Sequence, residues 1–80
     1  MKRSYLKIRR KALHKTLEDI AYDIGVSYNY LLNIENGHQG DKASFILMVK
    51  IAKAYQMEIN EFYHQECLYQ KEKGVLKDYD

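Results

Sequence analysis

The chain has 80 residues, of which 46% are hydrophobic, with four glycines and no proline, so it can form one domain with a modest core. This composition argues against a turn-rich all-β fold, and no apolar run approaches the ~18 residues of a membrane span or resembles a secretory signal. The single cysteine, Cys67, excludes an intramolecular disulfide and leaves too few ligands for a cysteine-rich metal site. We therefore expect a cytoplasmic domain without a cofactor or metal.

The net charge of +2 is unevenly distributed along the chain. The first segment carries basic side chains and no acid: Lys2, Arg3, Lys7, Arg9, Arg10, Lys11 and Lys15. From Glu58 onward, acidic residues outnumber basic ones. Such asymmetry favours one side that faces a polyanion and one that is turned away from it, whereas solvated helix faces are the simpler alternative.

Capping residues and apolar spacing predict a first helix over residues 4–14 and a second over residues 17–24. Ser4 is the expected N-cap of the first helix, and Thr16 that of the second. The positions predicted to face inward are Leu6, Leu13, Leu17, Ile20, Ala21 and Ile24.

The third segment raises a choice between a strand and a helix. Its Tyr-Asn-Tyr stretch alternates aromatic and amide side chains as an edge strand would, but the alternation fails at the two leucines that follow. A helix over residues 28–36 accounts for more, because Ser27 can cap it and Leu31 and Ile34 then share one side. Gly25 would end the preceding helix in a left-handed conformation.

The last part of the chain predicts two more helices, over residues 45–55 after the N-cap Ser44 and over residues 59–73. Their apolar positions are Phe45, Met48, Val49, Ile51, Ala52 and Tyr55, and then Ile59, Phe62, Tyr63 and Cys67. Residues 1–74 are expected to form a single all-α domain, with residues 75–80 as a short tail.

The second and third predicted helices are joined by Gly25-Val26-Ser27. Two short helices that cross steeply through such a glycine-containing turn form a helix-turn-helix. Ala21 is small enough for the third helix to cross close to it, and Val26 can fill the angle between the helices. The outer face of the third helix is then free to enter a DNA major groove, which is wide enough for one helix.

On these residues the chain resembles the DNA-binding domains of Cro and phage-repressor type, also called Xre-like regulators. The resemblance covers roughly residues 6–63 and is carried by Arg10, TLEDIAYDIGVS (16–27), YLLNIENG (30–37) and MVKIAKAYQMEINEF (48–62). It implies an all-α, compact five-helix domain of the lambda-repressor-like type that binds double-stranded DNA.

The resemblance places the base-contacting side chains on Tyr28, Asn29 and Asn33. Asparagine can pair in a bidentate manner with adenine, and tyrosine can bond a phosphate or cover a thymine methyl group. An ordinary polar surface is the alternative for the asparagines, and partial packing is the alternative for Tyr28. Tyr30 could face either the core or the groove.

The resemblance also implies phosphate contacts from the Asn36 amide and the Gly37 backbone N–H, and Ser27 could cap the helix and bind phosphate. Further backbone contacts are expected from Lys11, Lys15, His38, Gln39 and Lys42. In the family pattern Arg10 pairs with Glu35, which would tie the first helix to the end of the third.

Three departures from the family pattern stand out. Leu17 replaces a glutamine that commonly touches phosphate, so that contact is expected to be absent. The loop over residues 38–43 lacks the usual proline and is about two residues longer. Ile46 and Leu47 occupy positions that are usually polar. They would either pack under the last helix or form a dimer interface together with Tyr63, Cys67 and Leu68.

The sequence therefore predicts a DNA-binding transcriptional regulator, acting as a repressor on the nucleoid and binding an inverted-repeat operator as a homodimer. The alternative is an antitoxin-like or anti-repressor module that binds a protein through the apolar patch on helices 4 and 5. An enzyme is disfavoured because the three histidines are scattered without metal-ligand spacing. No small-molecule ligand is evident.

Overall fold

A computed structural model of the chain describes residues 1–75. Within that range the secondary structure is entirely helical, which confirms the predicted all-α class. The five helices are α1 (Ser4–Ala12), α2 (Leu17–Ile24), α3 (Tyr28–Glu35), α4 (Phe45–Ala54) and α5 (Ile59–Lys73).

Three of the predicted N-caps are confirmed. The Ser27 hydroxyl accepts the Tyr30 N–H at 3.1 Å, and the Ser44 hydroxyl accepts the Leu47 N–H at the same distance. Thr16 forms a reciprocal capping box with Asp19, whose carboxylate accepts the Thr16 N–H at 3.0 Å. That backbone hydrogen bond, together with a hydrogen bond from the Thr16 hydroxyl to the carboxylate, lowers the pKa of Asp19. Each such cap stabilises its helix by about 1 kcal/mol.

The prediction for α1 was wrong at both ends. Ser4 lies inside the helix, and Arg3 is the N-cap, with its carbonyl accepting the Leu6 N–H at 3.0 Å. The helix ends at Ala12 rather than His14, because His14 adopts a left-handed conformation with φ +57°. Arg3 occupies the cap position without a side-chain cap hydrogen bond.

The hydrophobic core lies where α2, α3 and α4 meet, with residues from α1 and α5 closing it. Its buried members are Leu6, Ile20, Ala21, Ile24, Leu31, Ile34, Ile51, Ala52, Tyr55, Met57 and Phe62. Fully burying one leucine or isoleucine side chain contributes about 1.5–3 kcal/mol. The inward positions predicted for α2 and α3 are therefore those that build the core, although Leu17 is only half-buried at its edge.

The outer helices depart from prediction. Phe45 opens α4 with 75% of its surface exposed, because the first turn of α4 extends beyond the core. Ile59 and Tyr63 are also exposed, whereas the apolar positions Phe62 and Cys67 are buried together with Glu66 and Tyr69.

The C-terminal end of α5 is capped by Gly74 in the left-handed region, at φ +89°. Of the predicted tail, Val75 is exposed, and residues 76–80 lie outside the described residues. None of the helices within residues 1–75 is long and apolar enough to cross a membrane.

Candidate nucleic-acid interface

The turn between α2 and α3 has the geometry of a helix-turn-helix. Gly25 is left-handed at φ +88°, and the N–H groups of Gly25 and Val26 donate to the Ala21 carbonyl at 2.9 and 3.0 Å. Val26 packs against the core, and Ser27 then starts α3. The turn therefore holds α3 at a fixed angle across α2.

The two faces of α3 differ in chemistry. Leu31, Ile34 and Glu35 are buried, whereas Asn29 is exposed and 45% of the Tyr28 surface is accessible. Asn33 lies one turn beyond Asn29 on the same side and is half-buried. Within residues 1–75 neither asparagine makes a side-chain hydrogen bond, so both amides are available to an outside partner. Tyr30, left open by the sequence, packs against the core.

Arg10 and Glu35 form the pair that the resemblance implies. The guanidinium donates to both carboxylate oxygens, from Nε to Oε2 at 2.8 Å and from Nη2 to Oε1 at 3.1 Å. The Tyr55 hydroxyl donates to the same carboxylate at 2.7 Å. Burial raises the pKa of Tyr55, and this hydrogen bond to Glu35 raises it further. The pair thus joins α1 to the end of α3 and to the end of α4.

The basic first segment offers less free charge than its composition implies. Arg10 is paired with Glu35, Arg3 is buried, and Arg9 donates to the backbone carbonyls of Tyr55 and Gln56. Lys15 pairs with Asp23 at 3.2 Å. The exposed cations of this segment are Lys2, Lys7 and Lys11.

The two residues at the end of α3 have different surroundings. Asn36 is half-buried, whereas Gly37 is buried beneath Met1. The Gly37 N–H donates to the Ile34 carbonyl at 3.1 Å, and a Cβ at this position would lie 1.8 Å from the Met1 carbonyl oxygen. The Gly37 N–H is thus already bonded and covered, an arrangement that does not favour the phosphate contact expected of it.

The loop between α3 and α4 carries the remaining predicted contacts. His38, Gln39 and Lys42 are all exposed. The N–H groups of His38 and Gln39 donate to the Asn33 carbonyl at 2.8 and 3.2 Å, which ties the start of the loop to α3. Leu17, which stands where a phosphate-binding glutamine is common, packs against the core.

Behind this loop lies a buried ionic cluster that the sequence analysis missed. Arg3 is 2% exposed and donates to both oxygens of Glu66, at 2.8 and 2.9 Å, and to Asp41 at 2.7 Å. Lys73 donates to Asp41 at 2.8 Å, and the Tyr69 ring lies 4.4 Å from the Arg3 guanidinium carbon. Burial of Asp41 opposes its ionisation, but the hydrogen bond from Lys73 and the charge of Arg3 outweigh it and lower its pKa.

Helical spacing contained a signal for this ionic cluster. Arg3 lies three residues before Leu6 and seven before Arg10, on the inward side of α1. Glu66, Tyr69 and Lys73 follow Phe62 at steps of four, three and four along α5. Charged residues on the inward sides of both α1 and α5 indicate an internal ion pair rather than a solvated face.

The predicted dimer residues do not form a single patch. Ile46 and Tyr63 are 68% and 62% exposed, whereas Leu47 packs against the core and Cys67 is buried. Leu68 faces a separate cleft beside Met1 and Lys2. Leu47 and Cys67 are therefore packed inside, whereas Ile46, Tyr63 and Leu68 remain exposed.

An all-α domain in which α2 and α3 form a helix-turn-helix, with an open polar face on α3, is by class a helix-turn-helix DNA-binding domain. A family model described as helix-turn-helix matches residues 6–62. The chain therefore belongs to the helix-turn-helix family of Cro and phage-repressor type, the Xre-like regulators, which bind DNA and have a lambda-repressor-like fold. Comparisons with curated proteins and with solved structures gave no match.

Proposed function

We propose that this protein is a sequence-specific transcriptional repressor that inserts α3 into the DNA major groove and acts on the nucleoid in the cytoplasm. The observation that carries the proposal is the outer face of α3, where the exposed Asn29 and the half-buried Asn33 have amides that make no hydrogen bond within residues 1–75. Amides on such a face match the hydrogen-bonding edges of adenine. Repression would follow from occupying a promoter.

In this proposal, base readout and backbone positioning use different side chains. Tyr28, Asn29 and Asn33 read base edges, and each good bidentate pair is worth ~1–3 kcal/mol of discrimination. Phosphate contacts set the register without reading sequence. The phosphate set comprises Ser27, Asn36, Lys11, Lys15, His38, Gln39 and Lys42.

We further propose that two copies bind an inverted repeat, with their α3 helices in successive major grooves about 34 Å apart. A two-fold dimer uses the same surface patch on both copies. The exposure of Ile46 and Tyr63 supports an apolar contact of this kind.

Replacing Lys11 or Lys42 by glutamine should weaken binding to all DNA sequences alike. Both side chains are exposed, and removing one phosphate-binding cation should reduce the slope of log K against log salt by about 0.9. Fluorescence anisotropy with a random-sequence duplex, titrated with salt, measures this slope.

Lys71→Gln is the matched control, because Lys71 is exposed on α5 and outside the proposed phosphate set. Its slope should equal that of the wild type. If Lys11→Gln and Lys42→Gln also retain the wild-type slope, these two residues do not contact phosphate.

A specific observation favours a second candidate, the antitoxin-like or anti-repressor module. An apolar groove of ≈ 310 Å³ runs between α4 and α5, lined in part by Phe45, Met48, Ile59, Phe62, Tyr63 and Cys67. A protein partner could occupy it. Retention of the wild-type protein on random-sequence DNA at low salt would support the DNA-binding proposal, and failure to bind would favour this alternative.

A further inference from the structure

We propose that the buried ionic cluster, formed by Arg3, Asp41, Glu66, Tyr69 and Lys73, positions the loop between α3 and α4 for phosphate binding. Arg3 and the end of α5 would then set DNA affinity without touching DNA. The inference rests on the proposed function, and it adds positioning residues that lie behind the DNA-facing surface.

On the N-terminal side, the Arg3 guanidinium binds backbone carbonyls both in the last turn of α3 and in the loop between α3 and α4. Arg3 Nη1 donates to the Ile34 carbonyl at 2.8 Å and to the Gln39 carbonyl at 2.7 Å. The backbone N–H of Arg3 donates to the Glu35 carbonyl at 2.8 Å. Arg3 thus fixes the last turn of α3 relative to the loop that follows it.

From the α5 side, Lys73 and Gln70 hold the rest of the loop. Lys73 Nζ donates to the Gly37 carbonyl at 2.6 Å, as well as to the Asp41 carboxylate. Gln70 Nε2 donates to the Asp41 carbonyl at 3.3 Å and to Glu66 at 2.8 Å. The backbone carbonyls of Gly37, Gln39 and Asp41 are therefore all bonded to side chains from other segments.

The packing at Gly40 leaves the loop little freedom. Gly40 has φ +97°, and a Cβ there would lie 3.2 Å from Ile34 Cγ1 and 3.3 Å from Arg3 Nη1. The loop backbone that carries the exposed side chains of His38, Gln39 and Lys42 is thus fixed by hydrogen bonds from α5 and the N-terminal segment. Because a preorganised loop loses less conformational freedom on binding, its phosphate contacts yield more net affinity.

The charges of the cluster allow an effect on loop position to be distinguished from an effect on the electrostatic attraction between protein and DNA. Two carboxylates balance two cations, so the cluster adds no net attraction for DNA. Asp41→Ala makes the protein more positive, and electrostatics alone would tighten DNA binding. Loss of positioning would instead weaken it, so the two explanations predict opposite signs.

The experiment compares Asp41→Ala and Lys73→Met with the control Lys71→Met, which removes the same charge from an exposed site on α5. Circular dichroism first sets a temperature at which all variants are folded. In both cluster variants, the hydrogen-bonded loop amides of His38, Gln39 and Ala43 should exchange hydrogen about tenfold faster in the absence of DNA. Affinity for a random-sequence duplex at fixed salt should fall about five- to tenfold in both cluster variants, and by no more than about twofold in the control.

Tighter or unchanged DNA binding by Asp41→Ala would overturn the positioning role, as would unchanged exchange of the loop amides in both cluster variants. If the wild type itself binds no DNA, the proposed function fails, and with it the role of the loop in phosphate binding. The exchange measurement separates these cases, because it reports loop order without DNA. Faster loop exchange combined with wild-type DNA affinity would also contradict the inference.

Discussion

Replacing Arg3 by methionine is expected to lower the free energy of unfolding by about 3–5 kcal/mol, because it leaves the buried Glu66 carboxylate without its cation. The backbone carbonyls of Ile34 and Gln39 lose a donor at the same time. A domain of this size has a total stability of roughly 4–12 kcal/mol, so the variant should be close to unfolding at room temperature. Urea unfolding followed by circular dichroism measures the change.

The control for Arg3→Met is Lys2→Met, which removes a positive charge from the adjacent, exposed position. It should change the unfolding free energy by less than about 0.5 kcal/mol. An Arg3→Met midpoint equal to that of Lys2→Met, at the same denaturant slope, would contradict the buried ion pair.

Replacing Asn33 by alanine should weaken binding to the preferred DNA site by ~1–3 kcal/mol and relax the preference at one base position. The reason is the loss of a bidentate amide pair in the major groove, with phosphate contacts unchanged. Binding to random-sequence DNA should therefore change little, and the salt slope should stay the same. Anisotropy titrations against the preferred site and its single-base variants measure both effects.

Asn60→Ala is the matched control, since Asn60 is an exposed asparagine in the first turn of α5. It should leave affinity and base preference unaltered. A footprint and an affinity that are also unaltered by Asn33→Ala would remove Asn33 from the base-reading set.

The parts of the fold that sequence predicted are those governed by local chemistry. Thr16, Ser27 and Ser44 cap their helices because a hydroxyl can reach an N–H three residues ahead. Apolar spacing likewise identified Leu31 and Ile34 as the inward side of α3. The Arg10–Glu35 pair followed from the family pattern, which carries information about tertiary structure that spacing alone does not.

The parts that sequence reasoning missed depend on partners far along the chain. Arg3 belongs to the basic first segment, and the acid that pairs with it, Glu66, is 63 residues away. Gly37 matched a phosphate-binding position, but here Met1 covers it. Spacing along α1 and α5 indicates that charges face inward, but which partners they and Gly37 meet depends on how the N-terminal segment and α5 close over the loop.

The apolar surface illustrates the same limit. Periodicity placed Phe45 with the buried residues of α4 and gave Ile59 and Tyr63 only as apolar positions of α5, since hydrophobic spacing does not show where a helix extends beyond its neighbours. Their exposure around one groove is a tertiary property. The proposed roles of that surface are contact with a second copy of the chain or with a different protein.

The most direct test of the central claim is selection of bound sites from a random pool of double-stranded DNA by the wild-type protein. We predict enrichment of one site with two-fold symmetry, whose half-sites are about 10–10.5 base pairs apart from centre to centre. Such a result would report sequence specificity, symmetry and spacing together. A pool that remains random after repeated rounds would contradict sequence-specific binding through α3.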